Sequence, residues 1–257
     1  MTGEKKGRLH LLDSIRGTTL ISMMVYHATW DVVFLFGGRG LPGWSWFNAP
    51  IGRFWQQSIC WTFILLSGFC LGLSRHPVKR GLIVFGGGAL VSAVTAIFMP
   101  SSIIICGILT LLGSAMIICG LARKLLEKTP AALGLAFSFL LFALTRGIND
   151  GYLGLFSLKL TDLPDFLYAN TFTAFFGLPP RGFFSTDYFS LLPWLFLFLC
   201  GYFLYRLIGQ KEWAQKIMQG GKIPPLAFLG RHSLIVYLIH QPVIYGLCLI
   251  ITKLIHQ

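Results

Sequence analysis

The chain has 257 residues, of which 55% are hydrophobic and only 12% are charged, and its formal net charge is +12. Soluble domains carry about 25% charged residues, so this composition and a mean hydropathy of +0.71 exclude a soluble globular protein. The basic residues fall in short segments between apolar runs, which is typical of membrane topology and argues against a nucleic-acid partner.

Seven apolar runs approach the roughly 20 residues that a helix needs to cross a bilayer. They cover residues 12–36, 51–73, 81–99, 102–121, 131–148, 187–208 and 226–252. The sequence therefore predicts an all-α integral membrane protein, a bundle of about seven transmembrane helices in a single domain over residues 1–257. The six cysteines lie within these runs and indicate apolar packing, with no disulfide framework and no metal site.

The charged residues predict how this bundle is oriented. If the N-terminus is cytoplasmic, 15 of the 21 lysines and arginines fall on the cytoplasmic side and 6 fall outside. This asymmetry follows the positive-inside rule and places the C-terminus outside. The first run follows a basic prefix but lacks a small-residue cleavage site, so we expect it to be retained as a helix in a bacterial cytoplasmic membrane.

The first span, LDSIRGTTLISMMVYHATWD, holds four ionisable residues in an apolar setting, where such groups usually mark function. Arg16 and His27 are separated by three helical turns plus roughly 20°, so both project from one face, about 16 Å apart. Asp31 lies one turn after His27 and is expected to hold its ring, as Asp13 is expected to hold Arg16. The alternatives are a surface ion pair and an interhelical hydrogen bond.

Two longer segments lie on the predicted outer side, which indicates that something is recognised there. The first covers residues 37–50 and is rich in Gly, Pro and Trp. The second covers 149–186, and its apolar stretch 163–178 is too short to span, so we expect an interfacial or re-entrant helix. Arg53 and Gln57, at the outer end of the second span, indicate either the wall of a site or an interfacial belt.

The last span, FLGRHSLIVYLIHQPVIYG, carries a polar stripe on an apolar helix. Ser233, Tyr237 and His240 follow one another at i, i+4 and i+7, and His240 lies at a depth close to that of His27. The two histidines are therefore expected to converge in one cavity. The alternative is that His240 only forms a hydrogen bond with a neighbouring helix.

Four motifs in order resemble one family. The run L-D-x-x-R-G, with ten residues between Arg16 and His27, is similar to the R-x10-H signature of the acyltransferase 3 group of membrane acyltransferases. The segments CGILTLLGSAMIICG, DYFSLLPWLFLFLCGYFL and FLGRHSLIVYLIHQPV resemble helices of the heparan-alpha-glucosaminide N-acetyltransferase catalytic family, in particular of its small prokaryotic members. The resemblance covers residues 8–250, which is nearly the whole chain.

The chain departs from that family's pattern at two places. Thr110 stands where relatives often carry a histidine or glutamine. In the outer loop after the first span, where the lysosomal enzyme of the family has a catalytic histidine, this chain has Trp44, Ser45 and Trp46. The second departure moves the expected base to His27.

The resemblance implies a homodimer that transfers an acetyl group from cytoplasmic acetyl-CoA to a hydroxyl or amine of a sugar or glycan on the outer side, without a metal. For this reaction we expect His27 to be the general base, because an imidazole held by Asp31 suits proton removal, with Asp31 and His240 as further catalytic residues. Ser233, Tyr237 or His240 is expected to donate a hydrogen bond to the oxyanion. Residues expected to bind the CoA donor are Asp13, Arg16, Arg75, Arg80, Arg231, Ser233 and Tyr237, with Lys79 and Arg206 as further cations. Residues expected to contact the acceptor are Trp30, Arg53, Gln57 and Asp187, with Trp44, Trp46 and Trp55 as stacking residues or interfacial anchors.

Two other classes of function fit the same residues. A transporter or flippase would line a substrate path with the Arg and His side chains, although common transporter folds are built from repeats that this chain lacks. A structural subunit of a membrane complex would use its polar spans for helix pairing. Turnover of acetyl-CoA by the purified protein separates the enzyme from both.

Overall fold

The structure, a computed structural model, describes residues 8–36, 46, 47, 49–155 and 158–255. Helices dominate it, and five helical segments are long and apolar enough to cross a membrane. They are Pro50–Leu71, Pro77–Phe98, Ala131–Asp150, Leu191–Gly209 and Ser233–Leu254. The predicted class, a helical membrane protein, is thereby confirmed.

The two other predicted spans differ from these five. Helix α1 (His10–Phe34) has 25 residues, but its ionisable side chains make it less apolar. Helix α4 (Ile108–Leu121) has only 14 residues. The predicted start of this span at residue 102 was wrong, because a 3-10 turn covers Pro100–Ser102 and Cys106 takes a positive φ of 56°. The count of seven spans and the orientation stay predictions.

The chain divides into two compact units, and unit 1 comprises Met1–Phe63 and Lys211–Gln257. Its helices are α1, the first part of α2 (Pro50–Leu71), α9 (Glu212–Gln219), α10 (Pro224–Arg231) and α11 (Ser233–Ile255). Its apolar core gathers Leu20, Met23 and Ile59. Helix α1 ends where the backbone carbonyl of Asp31 accepts hydrogen bonds from the N–H groups of Leu35 and Phe36, at 2.8 and 3.1 Å.

Helices α1 and α10 cross in backbone contact. A Cβ atom added to Gly17 would lie 2.0 Å from the carbonyl oxygen of Leu226, and one added to Gly230 would lie 1.9 Å from that of Asp13. The contact exists because the predicted span 226–252 is two helices, which meet at His232, a residue with non-helical backbone angles. The short α10 can therefore take its own direction along α1.

Unit 2 comprises Ile64–Gln210. Its helices are the rest of α2, α3 (Pro77–Phe98), α4, α5 (Arg123–Lys128), α6 (Ala131–Thr145), α7 (Thr171–Phe176) and α8 (Leu191–Leu204), which a π-helical turn over Tyr205–Gly209 continues. Glycines again permit backbone contact between helices. An added Cβ at Gly113 would lie 2.5 Å from the backbone nitrogen of Phe85, and one at Gly201 would lie 2.1 Å from the carbonyl oxygen of Leu65.

The segment predicted to lie outside folds into short elements. Strands β1 (Tyr152–Leu155) and β2 (Leu158–Asp162) form an antiparallel hairpin, which the sequence analysis did not predict. The helix predicted over 163–178 was wrong in length: a 3-10 turn covers Asp165–Tyr168, and α7 has only six residues. The break between them lies at Asn170, whose side-chain oxygen accepts the N–H of Thr173 at 3.0 Å and so caps α7.

Candidate functional site

Two histidines from the first and last helices of unit 1 meet. His27 of α1 is half-buried and His240 of α11 is buried, and their ring centroids are 5.1 Å apart. The ring of Tyr237 lies 5.3 Å from that of His240. The expected convergence of the two histidines is therefore present in the structure.

The hydrogen bonding of His240 fixes its tautomer. Its Nδ1 lies 2.5 Å from the backbone carbonyl oxygen of Tyr237, which can only accept a hydrogen bond, so Nδ1 carries the hydrogen in the neutral ring. Nε2 is then a lone-pair acceptor, and it is buried without a partner among the described residues. A neutral His240 cannot donate from Nε2 to an oxyanion, contrary to the expectation from the sequence.

Asp31 binds a different partner from the one expected. Its side chain is 0% exposed, and the Nε2 of Gln241 donates to both of its carboxylate oxygens, at 2.9 and 3.1 Å. Within the described part of the chain no hydrogen bond joins Asp31 to His27. The Asp31 carboxylate is therefore bound by a residue of α11. It lies one helical turn from His27, because the two residues are four positions apart on α1.

Gln241 is the residue of this site that the sequence analysis missed. Its Oε1 is buried and has no partner among the residues that the structure describes. An uncharged polar residue inside the last span, next to His240 and before Pro242, was the signal that could have identified it. A buried acceptor without a hydrogen bond typically costs about 1–3 kcal/mol, so the unpaired oxygen requires an explanation.

Aromatic side chains adjoin His27 on one side. The ring of Tyr26 lies 5.8 Å from that of His27, 4.9 Å from Phe47 and 5.3 Å from Trp55. The rings of Trp46 and Trp55 are stacked, and the Nε1 of Trp55 donates to Ser22 Oγ at 2.8 Å. These contacts form an aromatic cluster that reaches His27 through Tyr26. Two other tryptophans were expected to contact the acceptor. The ring centroid of Trp30 lies 5.3 Å from that of Phe34, and Trp44 lies outside the described residues.

The other polar end of α1 binds α10. The Nη1 of Arg16 lies 3.3 Å from Asp13 Oδ1, which is the expected pair, and 3.4 Å from the carbonyl oxygen of Gly230. Asp13 also accepts from the Nε of Arg8 at 3.0 Å. The Arg16 side chain is still 19% exposed, so this end of the helix presents a positive charge that is held in place by the Gly17 and Gly230 crossing.

The remaining residues expected to bind the CoA donor lie in both units. In unit 1, Arg231 is exposed at the end of α10, with its guanidinium 6.0 Å from the ring of Phe228, and Ser233 begins α11. In unit 2, Arg75 and Arg80 are exposed around the turn from α2 to α3. The further cation Arg206 binds the protein's own backbone instead. It donates to the carbonyl oxygens of Leu126, Glu127 and Thr129.

The residues expected to contact the acceptor also make contacts of their own. Arg53 is exposed on α2, and Gln57 accepts a hydrogen bond from the Nε1 of Trp61 at 3.0 Å. Asp187 lies in unit 2, where its Oδ2 accepts the N–H of Ile108 at 3.2 Å, at the first residue of α4. Among the described residues no cluster of three His, Cys, Asp or Glu side chains has the arrangement of a metal site.

Comparison with known proteins assigns the chain to a family. The model of the heparan-alpha-glucosaminide N-acetyltransferase catalytic domain matches residues 8–242. No curated protein and no solved structure gives a match. The matched range contains α1 and the part of α11 that carries His240 and Gln241, and it covers most of the 257 residues. The chain therefore belongs to the heparan-alpha-glucosaminide N-acetyltransferase catalytic family.

Proposed function

We propose that this transmembrane acetyltransferase moves an acetyl group from cytoplasmic acetyl-CoA to a hydroxyl or amine of a sugar or glycan on the extracytoplasmic side, with His27 as the general base. Family membership supports the acetyl transfer. The observation that carries the proposed site is the contact between His27 and His240, 5.1 Å apart and bordered by aromatic rings. An imidazole suits proton removal from an O–H or N–H group, and histidine is the side chain most often used as a general base.

The donor is expected to bind at the opposite end of α1. CoA carries phosphate groups, and a guanidinium such as that of Arg16 binds phosphate through directed N–H donors. The helix rises about 16 Å from Arg16 to His27, a length that an extended pantetheine arm has to cover. Because Asp13 and the Gly230 carbonyl hold Arg16, its position is set before the donor binds.

The reaction balances with these groups. The acceptor oxygen or nitrogen attacks the thioester carbonyl carbon, and its proton passes to the free ring nitrogen of His27. The carbon–sulfur bond then breaks, the acetyl group stays on the acceptor, and the proton on His27 neutralises the leaving thiolate to give the CoA thiol. General-base help of this kind is typically worth about 100- to 10,000-fold in rate.

The test is the release of CoA thiol by the purified protein in nanodiscs, with acetyl-CoA and a sugar acceptor. We expect His27→Ala to lower kcat at least about 100-fold without changing the melting temperature. His76→Ala, at an exposed histidine, is the matched control and should remain active. Full activity of His27→Ala would overturn the proposed base, and sugar movement into vesicles without thiol release would favour a transporter.

A further inference from the structure

Two hydrogen-bond acceptors of α11 are buried and unpaired next to the histidine contact. They are His240 Nε2 and Gln241 Oε1, on consecutive residues of one helix. Each belongs to a side chain whose other polar atom is engaged, His240 Nδ1 with the Tyr237 carbonyl and Gln241 Nε2 with Asp31. Buried polar atoms in proteins are nearly always hydrogen-bonded, so these two are candidates for contact with a ligand.

The orientation of both side chains is determined by the partners that they already have. If the Gln241 amide were turned over, its Oε1 would face the Asp31 carboxylate, and two acceptors would oppose each other. If the His240 ring carried its hydrogen on Nε2, its Nδ1 would face a carbonyl oxygen with no hydrogen between them. Both free positions therefore accept hydrogen bonds, and the missing partners must be donors.

The two acceptors belong to the interface between α1 and α11. His240 contacts His27 and Gln241 holds Asp31, and these partners are one turn apart on the same face of α1. Their neighbour Pro242 lacks a backbone N–H, which removes one helical hydrogen bond and loosens α11 locally. The two acceptors therefore lie on the helix that contacts both His27 and Asp31.

We infer that His240 Nε2 and Gln241 Oε1 bind the acyl acceptor by taking hydrogen bonds from two of its O–H or N–H groups, while His27 takes the proton that is lost. The inference rests on the proposed function and adds the residues that orient the acceptor. A sugar meets the requirement because it offers several donors on neighbouring carbons. Hydroxyl and amine donors share this chemistry, so separate probes have to distinguish them.

The first experiment does not depend on turnover. Nitrogen NMR of the ¹⁵N-histidine-labelled protein in nanodiscs, with the His240 signals identified by their loss in His240→Asn, reports which ring nitrogen carries the hydrogen. We expect a bare Nε2 whose signal moves on titration with glucose, glucosamine or both. A hydrogen on Nε2, or a signal that neither sugar moves, would overturn the inference even if the protein releases CoA thiol.

The second experiment separates acceptor binding from donor binding. His240→Asn keeps a hydrogen-bond donor near the Tyr237 carbonyl but removes the acceptor atom Nε2. The longer side chain of His240→Gln places an amide where Nε2 was. We expect His240→Asn and Gln241→Met each to raise the acceptor KM roughly five- to tenfold, with the acetyl-CoA KM unchanged, and His240→Gln to recover part of the loss. Thr252→Val, on the same helix, is the control and should keep both KM values.

Two results would decide against the acceptor contact. An acceptor KM that stays at the wild-type value in both His240→Asn and Gln241→Met would refute it, and so would equal changes in the two KM values, which indicate a structural role. If the wild-type protein releases no thiol at all, the proposed acetyl transfer fails, and the NMR titration still decides whether the two acceptors bind a sugar.

Discussion

A charged side chain in a membrane protein can bind the protein's own backbone instead of a ligand, and Arg206 is an example. Its guanidinium donates to the carbonyl oxygens of Leu126, Glu127 and Thr129, the groups that α5 leaves without helical partners at its end. The sequence displays the positive charge of such a residue but not its partner. For this reason a count of cations near the predicted cytoplasmic side overstates the number available to bind the proposed CoA donor.

Asp187 is a second residue whose contacts favour a role in the fold. We expect Asp187→Ala to lower the free energy of unfolding by about 0.5–2 kcal/mol, because its carboxylate accepts the N–H of Ile108 and faces the positive end of α4. Thermal unfolding in detergent measures the loss. Asp187→Asn keeps an acceptor oxygen and should lose less.

The kinetics of the same variants test the acceptor role that the sequence suggested for Asp187. We expect the acceptor KM of Asp187→Asn to match that of the wild-type protein. A KM that rises several-fold in both variants, with unchanged thermal stability, would restore Asp187 to the acceptor site.

The site could be predicted only in part, and the reason lies in single side chains. The contact between His27 and His240 was predictable, because the helical period and the depth of each residue both follow from residue spacing along α1 and α11. The partner of Asp31 was assigned to the nearest residue on its own helix. Gln241 binds it instead, and choosing between helices requires knowledge of how α11 is rotated, which the sequence does not contain.

At the scale of helices, small residues set the crossing of α1 and α10. We expect Gly17→Ala to destabilise the protein by about 1–3 kcal/mol, since the new methyl group would lie 2.0 Å from the Leu226 carbonyl oxygen and the helices would have to separate. Gly86→Ala is the matched control, because nothing lies within 4 Å of its added Cβ and alanine favours a helix. The measurement is the midpoint of thermal unfolding of the two variants side by side.

The crossing also gives Gly17→Ala a second expected effect. Arg16 reaches the Gly230 carbonyl through this contact, so separated helices should raise the acetyl-CoA KM while the acceptor KM stays constant. Equal stability of Gly17→Ala and Gly86→Ala would contradict the backbone contact.

One helical break and one hairpin were missed because spans were assigned from the length of apolar runs. The break at His232 lies inside a run that is apolar on both sides, so hydropathy joins α10 and α11 into one span. The strand β2 has the sequence LKLTD, in which apolar and polar residues alternate. That period of two was a signal for a strand, and it was missed because the prediction relied on long apolar runs.

At the scale of the whole molecule, composition alone was sufficient to predict a membrane protein. The structure agrees, since five of its helices are long and apolar enough to cross a bilayer. The family was predicted from four motifs that are spread over nearly the whole chain, and the family match over residues 8–242 confirms it. The orientation rests on the asymmetry of charge and needs an experiment.

We expect a membrane-impermeant maleimide to label Lys159→Cys in intact cells and to label Lys128→Cys only after the cells are opened. Both lysines are exposed, the first on the predicted outer side and the second on the predicted cytoplasmic side. The wild-type protein is the control, since its six cysteines are buried or half-buried. Labelling of Lys128→Cys in intact cells would indicate the opposite orientation, with the Arg16 end of α1, where the donor is proposed to bind, outside.

Asp31 joins two kinds of contact in one residue. Its backbone carbonyl receives the last N–H groups of α1, from Leu35 and Phe36, while its carboxylate receives the amide of Gln241. The main chain and side chain of one residue cannot shift independently. A displacement of the end of α1 at Leu35 and Phe36 is therefore expected to be transmitted through Asp31 to α11, the helix that carries His240.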